Sequence, residues 1–305
     1  MRMTAACLVG LACAGWSAEG LADTQADWQA AATAAGNFTV ESFERRDLGQ
    51  SLAEYSAVVR VGPGTYDKIG IHRVVKESNP GHPIIAPKGL VLAHGDISTF
   101  DSGFMPSTSV AAGIMPVSQS LGIYLAQQNI DVWGWDRRAT FVPNTEINFA
   151  FMSQWGSQVS VGDMETVATM ARSIRVATGS PGTQVLAGGF SRGAEVSVAF
   201  ANHEAQLAPP QRNARGLILI DYTSKFPASQ SSSVQAACQR ALRNQVQYVA
   251  GNYANNTGLI AQTLGILDAT TPNLPSLIFP GNTNHQALVL VLTNTYLIAD
   301  LTPWY

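Results

Sequence analysis

A serine stands between two glycines in the run Gly188-Gly189-Phe190-Ser191-Arg192-Gly193. The apolar run 183–187 before it reads as a strand, and 194–203 after it reads as a helix. The spacing Gly189-x-Ser191-x-Gly193 has a chemical logic. In so sharp a strand–turn–helix the two elements nearly touch beside the serine. A side chain at either glycine would clash, and glycine also tolerates unusual backbone angles. The serine hydroxyl is pushed above the sheet edge, and the N–H of Arg192 points at an anion site. This arrangement suits a nucleophilic serine. The same five residues also occur in ordinary glycine-rich turns, and the flanking strand and helix favour the chemical reading.

Other residues able to do chemistry close predicted strands. The run 90–93 is apolar throughout, as in a strand buried on both faces, and it stops at His94-Gly95-Asp96. The strand 130–135 stops at Asp136-Arg137-Arg138, and the strand 215–221 ends on Asp221. Helices are expected at about 117–128 and 163–177. Before these, 23–36 reads as a short helix or loose arm and 37–43 and 55–61 as strands. The segment 69–75 is expected to pair back antiparallel. Strands therefore alternate with helices from about 85 to 221, which implies a mostly parallel sheet with helices on both faces. After 221 the strand signal fades. A polar linker at 229–233 leads to helices at 234–252 and 258–267, the position of a cap or lid. The stretch 274–280 reads as a strand. Within 282–305, the apolar run 287–292 fits strand or helix equally.

The whole chain limits the possibilities. It has 305 residues, 46% of them apolar and 13% charged, with a formal net charge of −3. That supports a large core and gives no electrostatic footprint for nucleic acid or an anionic membrane. Arg2, the apolar run 4–16 and the small residues after it predict a secretory signal over 1–22, cleaved after Ala22 or after Gly20. The run is too short to span a bilayer, and no other stretch reads as a membrane span. Gly10-Leu11-Ala12 before Cys13 is a poor lipidation signal. Cys7 and Cys13 would leave with the signal. Cys238 then remains alone and reads as structural, its partner unidentified.

With these elements in order, the chain resembles the α/β-hydrolase superfamily of secreted serine esterases and lipases over about 37–221. The resemblance rests on Ala93-His94-Gly95-Asp96, Asp136-Arg137-Arg138 and Gly189-Phe190-Ser191-Arg192-Gly193. It implies ester, thioester or amide hydrolysis through an acyl-serine, without cofactor or metal, on a small apolar acyl ester. Ser191 would be the nucleophile and Gly189 and Gly193 the elbow glycines. The backbone N–H groups of Arg192 and Asp96 would bind the oxyanion. The expected layout is a signal peptide at 1–22, the core at 23–225 and a helical cap at 226–274. Residues 275–305 would return to the core or, in a chain that stops before the family's last strands, finish the cap.

The resemblance orders the triad as serine, acid, histidine. The acid usually follows one strand later, where this sequence has Gly281-Asn282-Thr283-Asn284. An amide cannot stabilise an imidazolium by charge, which moves the role to Asp221. A strand-end aspartate capping local N–H groups is the plainer reading of Asp221. His285 is the one histidine after Asp221, so either it is the base or the base is missing. In the second case the protein is a catalytically incomplete fold acting as a binding module. His94 is expected to brace its turn, His203 lies too far along its helix, and His72 and His82 read as surface residues. Asp136 with its two arginines reads as a structural ion pair. Trp133, Trp135, Phe149, Phe151 and Trp155 are read more as core than as a lining for an apolar substrate.

Overall fold

The computed structural model describes residues 21–96, 98–143, 145–222, 227, 229–253 and 257–293, without the side chains of 257–262 and 293. The predicted signal segment 1–20 lies outside them. Helix α1 (Gln25–Gly36) opens with a capping box between Thr24 and Asp27. Three long strands follow as an antiparallel meander: β1 (Thr39–Gly49), β2 (Leu52–Arg60) and β3 (Lys68–Asn79). A two-residue strand β4 (His82–Pro83) pairs back on β3. Then come β5 (Lys88–Ala93), α2 (Phe100–Phe104), α3 (Leu121–Gln127), β6 (Ile130–Asp136), α4 (Ser157–Ala177), β7 (Val185–Phe190), α5 (Arg192–Gln206) and β8 (Ala214–Ile220).

The sheet order is β1-β2-β3-β6-β5-β7-β8. The joins up to β3–β6 are antiparallel, and β6–β5, β5–β7 and β7–β8 are parallel. The carboxyl ends of β5, β6, β7 and β8 therefore share one edge. The β2–β3 turn, carrying Tyr66 and Asp67, lies on that edge too, because Gly70 pairs with Asp136. Ligands of open α/β sheets bind at this edge.

The alternation along each strand divides the core. Val91, Ala93, Trp133, Trp135 and Ala187 face one side with Trp28 of α1 and Met164, Val167 and Phe200 of α4 and α5. Leu90, Leu92 and Val132 face the other, with Phe100 and Phe104 of α2 and Ile123 of α3. A run such as Leu90-Val91-Leu92-Ala93 is apolar throughout because both faces are covered. One charged group sits inside the first layer. Arg73 is fully buried, donates to Asp131 and Asp23 at 2.7–3.0 Å, and lies 5.1 Å from the Trp133 ring centroid. Asp131 also accepts from buried Arg175 at 3.0 Å.

Beyond β8 the chain forms α6 (Ser231–Val249), α7 (Thr257–Thr270) and α8 (Asn284–Thr293). Helices form after β8 where the sequence reads them, but the expected strand at 274–280 does not form. Pro275 and Pro280 lack N–H donors, and the Ser276 hydroxyl accepts from the N–H groups of Ile278 and Phe279, which folds the segment into turns. One isolated bridge, Pro275 to Thr283, is what remains of strand pairing. The ambiguous run 287–292 is helical, and Ala287 and Val291 of α8 pack with Leu264 of α7 in a small core of their own. No helix of the described residues is long and apolar enough to cross a membrane.

Candidate active site

Ser191 lies where β7 turns into α5. Its backbone is at φ 52°, ψ −121°, a strained conformation for any residue but glycine. The turn is held on two sides. The Ser191 carbonyl accepts from the N–H groups of Ala194 and Glu195 at 3.0 and 3.2 Å, and its own N–H donates to the Ile220 carbonyl of β8 at 3.2 Å. Both glycines are sterically required. A Cβ on Gly189 would collide with the Ala93 carbonyl oxygen and stand 2.6 Å from the Gly193 carbonyl carbon. A Cβ on Gly193 would collide with the same oxygen and stand 2.7 Å from that of His94. Ser191 itself is exposed.

The turn after β5 abuts this serine. A Cβ built on Gly95 would stand 3.2 Å from the Ser191 Cβ and 2.7 Å from the Phe190 ring. The His94–Gly95–Asp96 turn and the start of α5, which opens with Arg192, thus flank the hydroxyl. The Asp96 carboxylate is held by two cations: Arg137 Nη2 donates to it at 2.8 Å, and Arg192 Nε is 3.6 Å away. Arg137 also donates to the Gly95 carbonyl at 3.0 Å. Neutralised in this way, a carboxylate beside the turn is compatible with a developing negative charge at the serine.

His94 is 2% exposed, and both ring nitrogens are committed. Nδ1–H donates to the Gly95 carbonyl at 2.7 Å, and Nε2 accepts from the Arg137 N–H at 3.3 Å. Burial, reinforced by the Arg137 charge, pushes its pKa down to about 4. A neutral histidine with one fixed tautomer braces the turn, as the sequence suggests.

The remaining histidines are dispersed. His82 lies in β4, beside the far end of β3, so it sits at the opposite edge of the sheet. His203, near the end of α5, is 3.5 Å from Glu165. His72 is not a surface residue, contrary to the sequence reading. Its side chain is 12% exposed, and its ring nitrogens reach Glu54 at 2.8 Å and Asp136 at 3.3 Å. Burial alone would lower its pKa, but the hydrogen bonds to Asp136 and Glu54 outweigh that and hold it at about 10. Glu54, His72 and Asp101 present ligand atoms within 4.8 Å of one another. Arg46, paired with both carboxylates, and the His72 imidazolium already supply positive charge there.

Asp221 directly follows β8, next to Ser191 across the β7–β8 register in which Phe190 faces Ile220. It is exposed, at φ 49°. His285 lies in the first turn of α8, 60% exposed. Its Nδ1–H donates to Asp268 of α7 at 2.9 Å, which leaves Nε2 directed away from that carboxylate. The structure thus brings together Ser191, Asp221, Asp96 and Arg192, and pairs His285 with an acid the sequence reading did not single out. Asn284, where the resemblance looked for the acid, is buried and donates to the Thr271 carbonyl at 2.8 Å.

The aromatic residues divide. Trp133 and Trp135 are core. Tyr66, Phe149, Phe151 and Trp155 form a ring cluster with centroids 4.8–6.3 Å apart on the elbow edge. Trp155 Nε1 donates to Asp67 at 3.0 Å, and Arg138 ties Asp67 to Asp163 of α4. Arg138 thus belongs to a structural ion-pair network, and Asp136 and Arg137 serve the turn after β5.

No protein-family model matches the sequence, and no curated protein matches it. Among solved structures, a Sulfolobus solfataricus protein provisionally named a lipase aligns at 16% identity and a TM-score of 0.54, over 85% of this chain and 69% of its own. Esterase B from Lactobacillus rhamnosis aligns at 14% identity and 0.35, over 72% of this chain and 64% of its own. Brefeldin A esterase, a bacterial homologue of human hormone sensitive lipase, aligns at 16% and 0.34, over 61% and 46%. The first likeness is one of fold, and the other two are too distant in shape to add to it.

Proposed function

We propose that this chain, which has the α/β-hydrolase fold, is an exported serine hydrolase that cleaves carboxylic esters through an acyl-serine. The observation that carries the reading is the strained, exposed Ser191 on an elbow that only glycines at 189 and 193 permit. In the proposed reaction the Ser191 hydroxyl adds to the ester carbonyl. The oxyanion that forms accepts hydrogen bonds from the N–H groups of Arg192 and Asp96. Preorganised donors of this kind contribute roughly 3 kcal/mol each to the transition state. Collapse expels the alcohol, and water then releases the acid. The aromatic cluster on the same edge favours an apolar acyl or alkyl group. The Sulfolobus solfataricus protein that shares the fold carries a lipase name, and the ester substrate of this chain is an analogy of fold.

The serine proton needs an acceptor, and His285 is the candidate. Asp221 stands beside the serine, whereas Asp268 stands beside the histidine. A base role for His285 requires its Nε2 to reach the Ser191 hydroxyl while Nδ1 stays on Asp268. The His285–Asp268 pair also favours a second reading, in which the site is catalytically incomplete and the fold binds acyl compounds without turnover.

The test is reaction with a fluorophosphonate together with hydrolysis of a short-chain p-nitrophenyl ester. Wild type should be labelled and active, and Ser191→Ala should be neither. Equal labelling of both proteins would remove Ser191 as nucleophile. A folded wild type that neither labels nor turns over would leave the binding reading.

A further inference from the structure

Two charged residues behind the Gly95–Asp96 turn have no part in the chemistry above. His72 lies on the face of β3 covered by α2, its ring stacked on Phe100 with centroids 4.9 Å apart and planes 24° apart. Both its ring nitrogens meet carboxylates, Glu54 from β2 and Asp136 from the end of β6. The other Asp136 oxygen accepts the N–H of Phe100 at 2.6 Å. The next residue, Arg137, donates its N–H to His94 and its guanidinium to the Gly95 carbonyl and the Asp96 carboxylate. The segment carrying the Asp96 N–H is therefore fastened at both ends, at His94–Asp96 by Arg137 and at Phe100 by Asp136. Both fastenings come from consecutive residues at the end of one central strand.

We propose that His72 and Asp136 are positioning residues that hold the turn after β5 so that the Asp96 N–H faces Ser191. The role rests on the reading of Ser191 as the nucleophile. The charge arrangement explains why two residues are needed. A carboxylate at Asp136, largely out of water, keeps its charge only beside a cation. His72 is that cation, shared with Glu54. Arg46 of β1 faces the far side of Glu54 and reaches Asp101 of α2 at 3.4 Å. Burial alone would raise the Asp136 pKa, but the hydrogen bond and charge of His72, helped by the Phe100 N–H, outweigh it and hold it below the ordinary carboxylate value. Without the imidazolium, Asp136 takes up a proton more readily and its hold on Phe100 weakens.

Asp136→Asn and His72→Gln test the role, with each rate taken per folded molecule. Ester hydrolysis should show kcat lowered about 10- to 100-fold with KM changed less than about threefold, because a displaced oxyanion donor weakens the transition state and not the ground state. A merely structural role would lower the melting temperature and leave kcat of the folded protein unchanged, and that result would overturn the proposal. A second measurement reads no activity. In a spectrum of protein labelled with ¹⁵N in histidine, His72 should carry both ring protons at pH 8 and His94 only its Nδ1 proton. In Asp136→Asn the Phe100 amide should exchange with solvent at least about tenfold faster. A neutral His72 at pH 8 in wild type, or unchanged Phe100 exchange, would overturn the proposal. If wild type neither labels nor turns over, the nucleophile reading falls, and the fastening is judged on these spectra alone.

Discussion

Gly193 and Ala93 meet backbone against backbone: a Cβ on the first would fall on the carbonyl oxygen of the second. The carbonyl belongs to the end of β5 and cannot withdraw without breaking the sheet beside the elbow. Gly193→Ala should therefore cost about 3 kcal/mol or more, at the upper end of overpacking effects. Gly162, in α4, has nothing within 4 Å of an added Cβ, so Gly162→Ala should stabilise by about 0.5–1 kcal/mol. Urea unfolding of the two variants checks both signs.

Ser191 stores strain that glycine would release. At φ 52°, ψ −121° a residue with a Cβ pays roughly 1–3 kcal/mol. Ser191→Gly should raise the unfolding free energy by about 1 kcal/mol despite the greater freedom of the unfolded glycine, whereas Ser191→Ala should stay within about 0.5 kcal/mol of wild type. A destabilised Ser191→Gly would show that the backbone is relaxed in solution.

Arg73 is the cation on which two buried carboxylates depend. Arg73→Met keeps the volume but leaves Asp23 without its cation and Asp131 with Arg175 alone. The expected loss is about 3–5 kcal/mol, the cost of an uncompensated buried charge. A loss below about 1 kcal/mol in chemical denaturation would mean that water reaches the network.

The two histidines near the turn after β5 should give opposite pH dependences. The His72 pKa is raised to about 10, so its contribution is complete below pH 6.5 and is lost as pH rises toward 10. The His94 pKa is lowered to about 4, so the fold is favoured by the neutral ring and loses stability as pH falls from 6.5 toward 4. Melting curves of wild type and His72→Gln should converge as pH rises from 6.5 to 10. Those of wild type and His94→Gln should converge as pH falls from 6.5 to 4.5.

The base and acid can be separated by three variants assayed on one ester. If His285 is the base, His285→Ala should lower kcat by roughly 10³-fold or more. Asp221→Asn and Asp268→Asn then divide the acid role, and the true partner should cost about 10²-fold or more. If all three stay within a factor of a few of wild type, the proton acceptor lies elsewhere.

The sharp turn at Ser191 was legible in the sequence because its demands are local. Gly189 and Gly193 bracket Ser191 within five residues, and the strand and helix on either side carry their own patterns. The buried strands β5 and β6 were legible for the same reason. His72 was not. Its partners Glu54 and Asp136 lie 18 and 64 positions away, and only strand pairing brings them together. Asp268 was missed likewise, because it meets His285 across two packed helices, 17 positions apart. The segment 274–280 has the apolar content of a strand, but Pro275, Pro280 and the Ser276 hydroxyl favour turns, and content outweighed those local signals in the reading.

Strand β8 has a paired neighbour on one side only, among the described residues. Leu217, Ile218 and Leu219 are 37–42% exposed, and with Leu186, Leu121 and Leu125 the β8 residues Ile218 and Ile220 border an apolar hollow of about 190 Å³. An edge of this composition offers unpaired amides and carbonyls to any extended chain that passes, with only Arg215 as a charge to deter it. The consequence concerns solubility more than chemistry. At high concentration this edge is where strand addition and precipitation should begin, and a lysine at Leu219 should delay them without touching the serine.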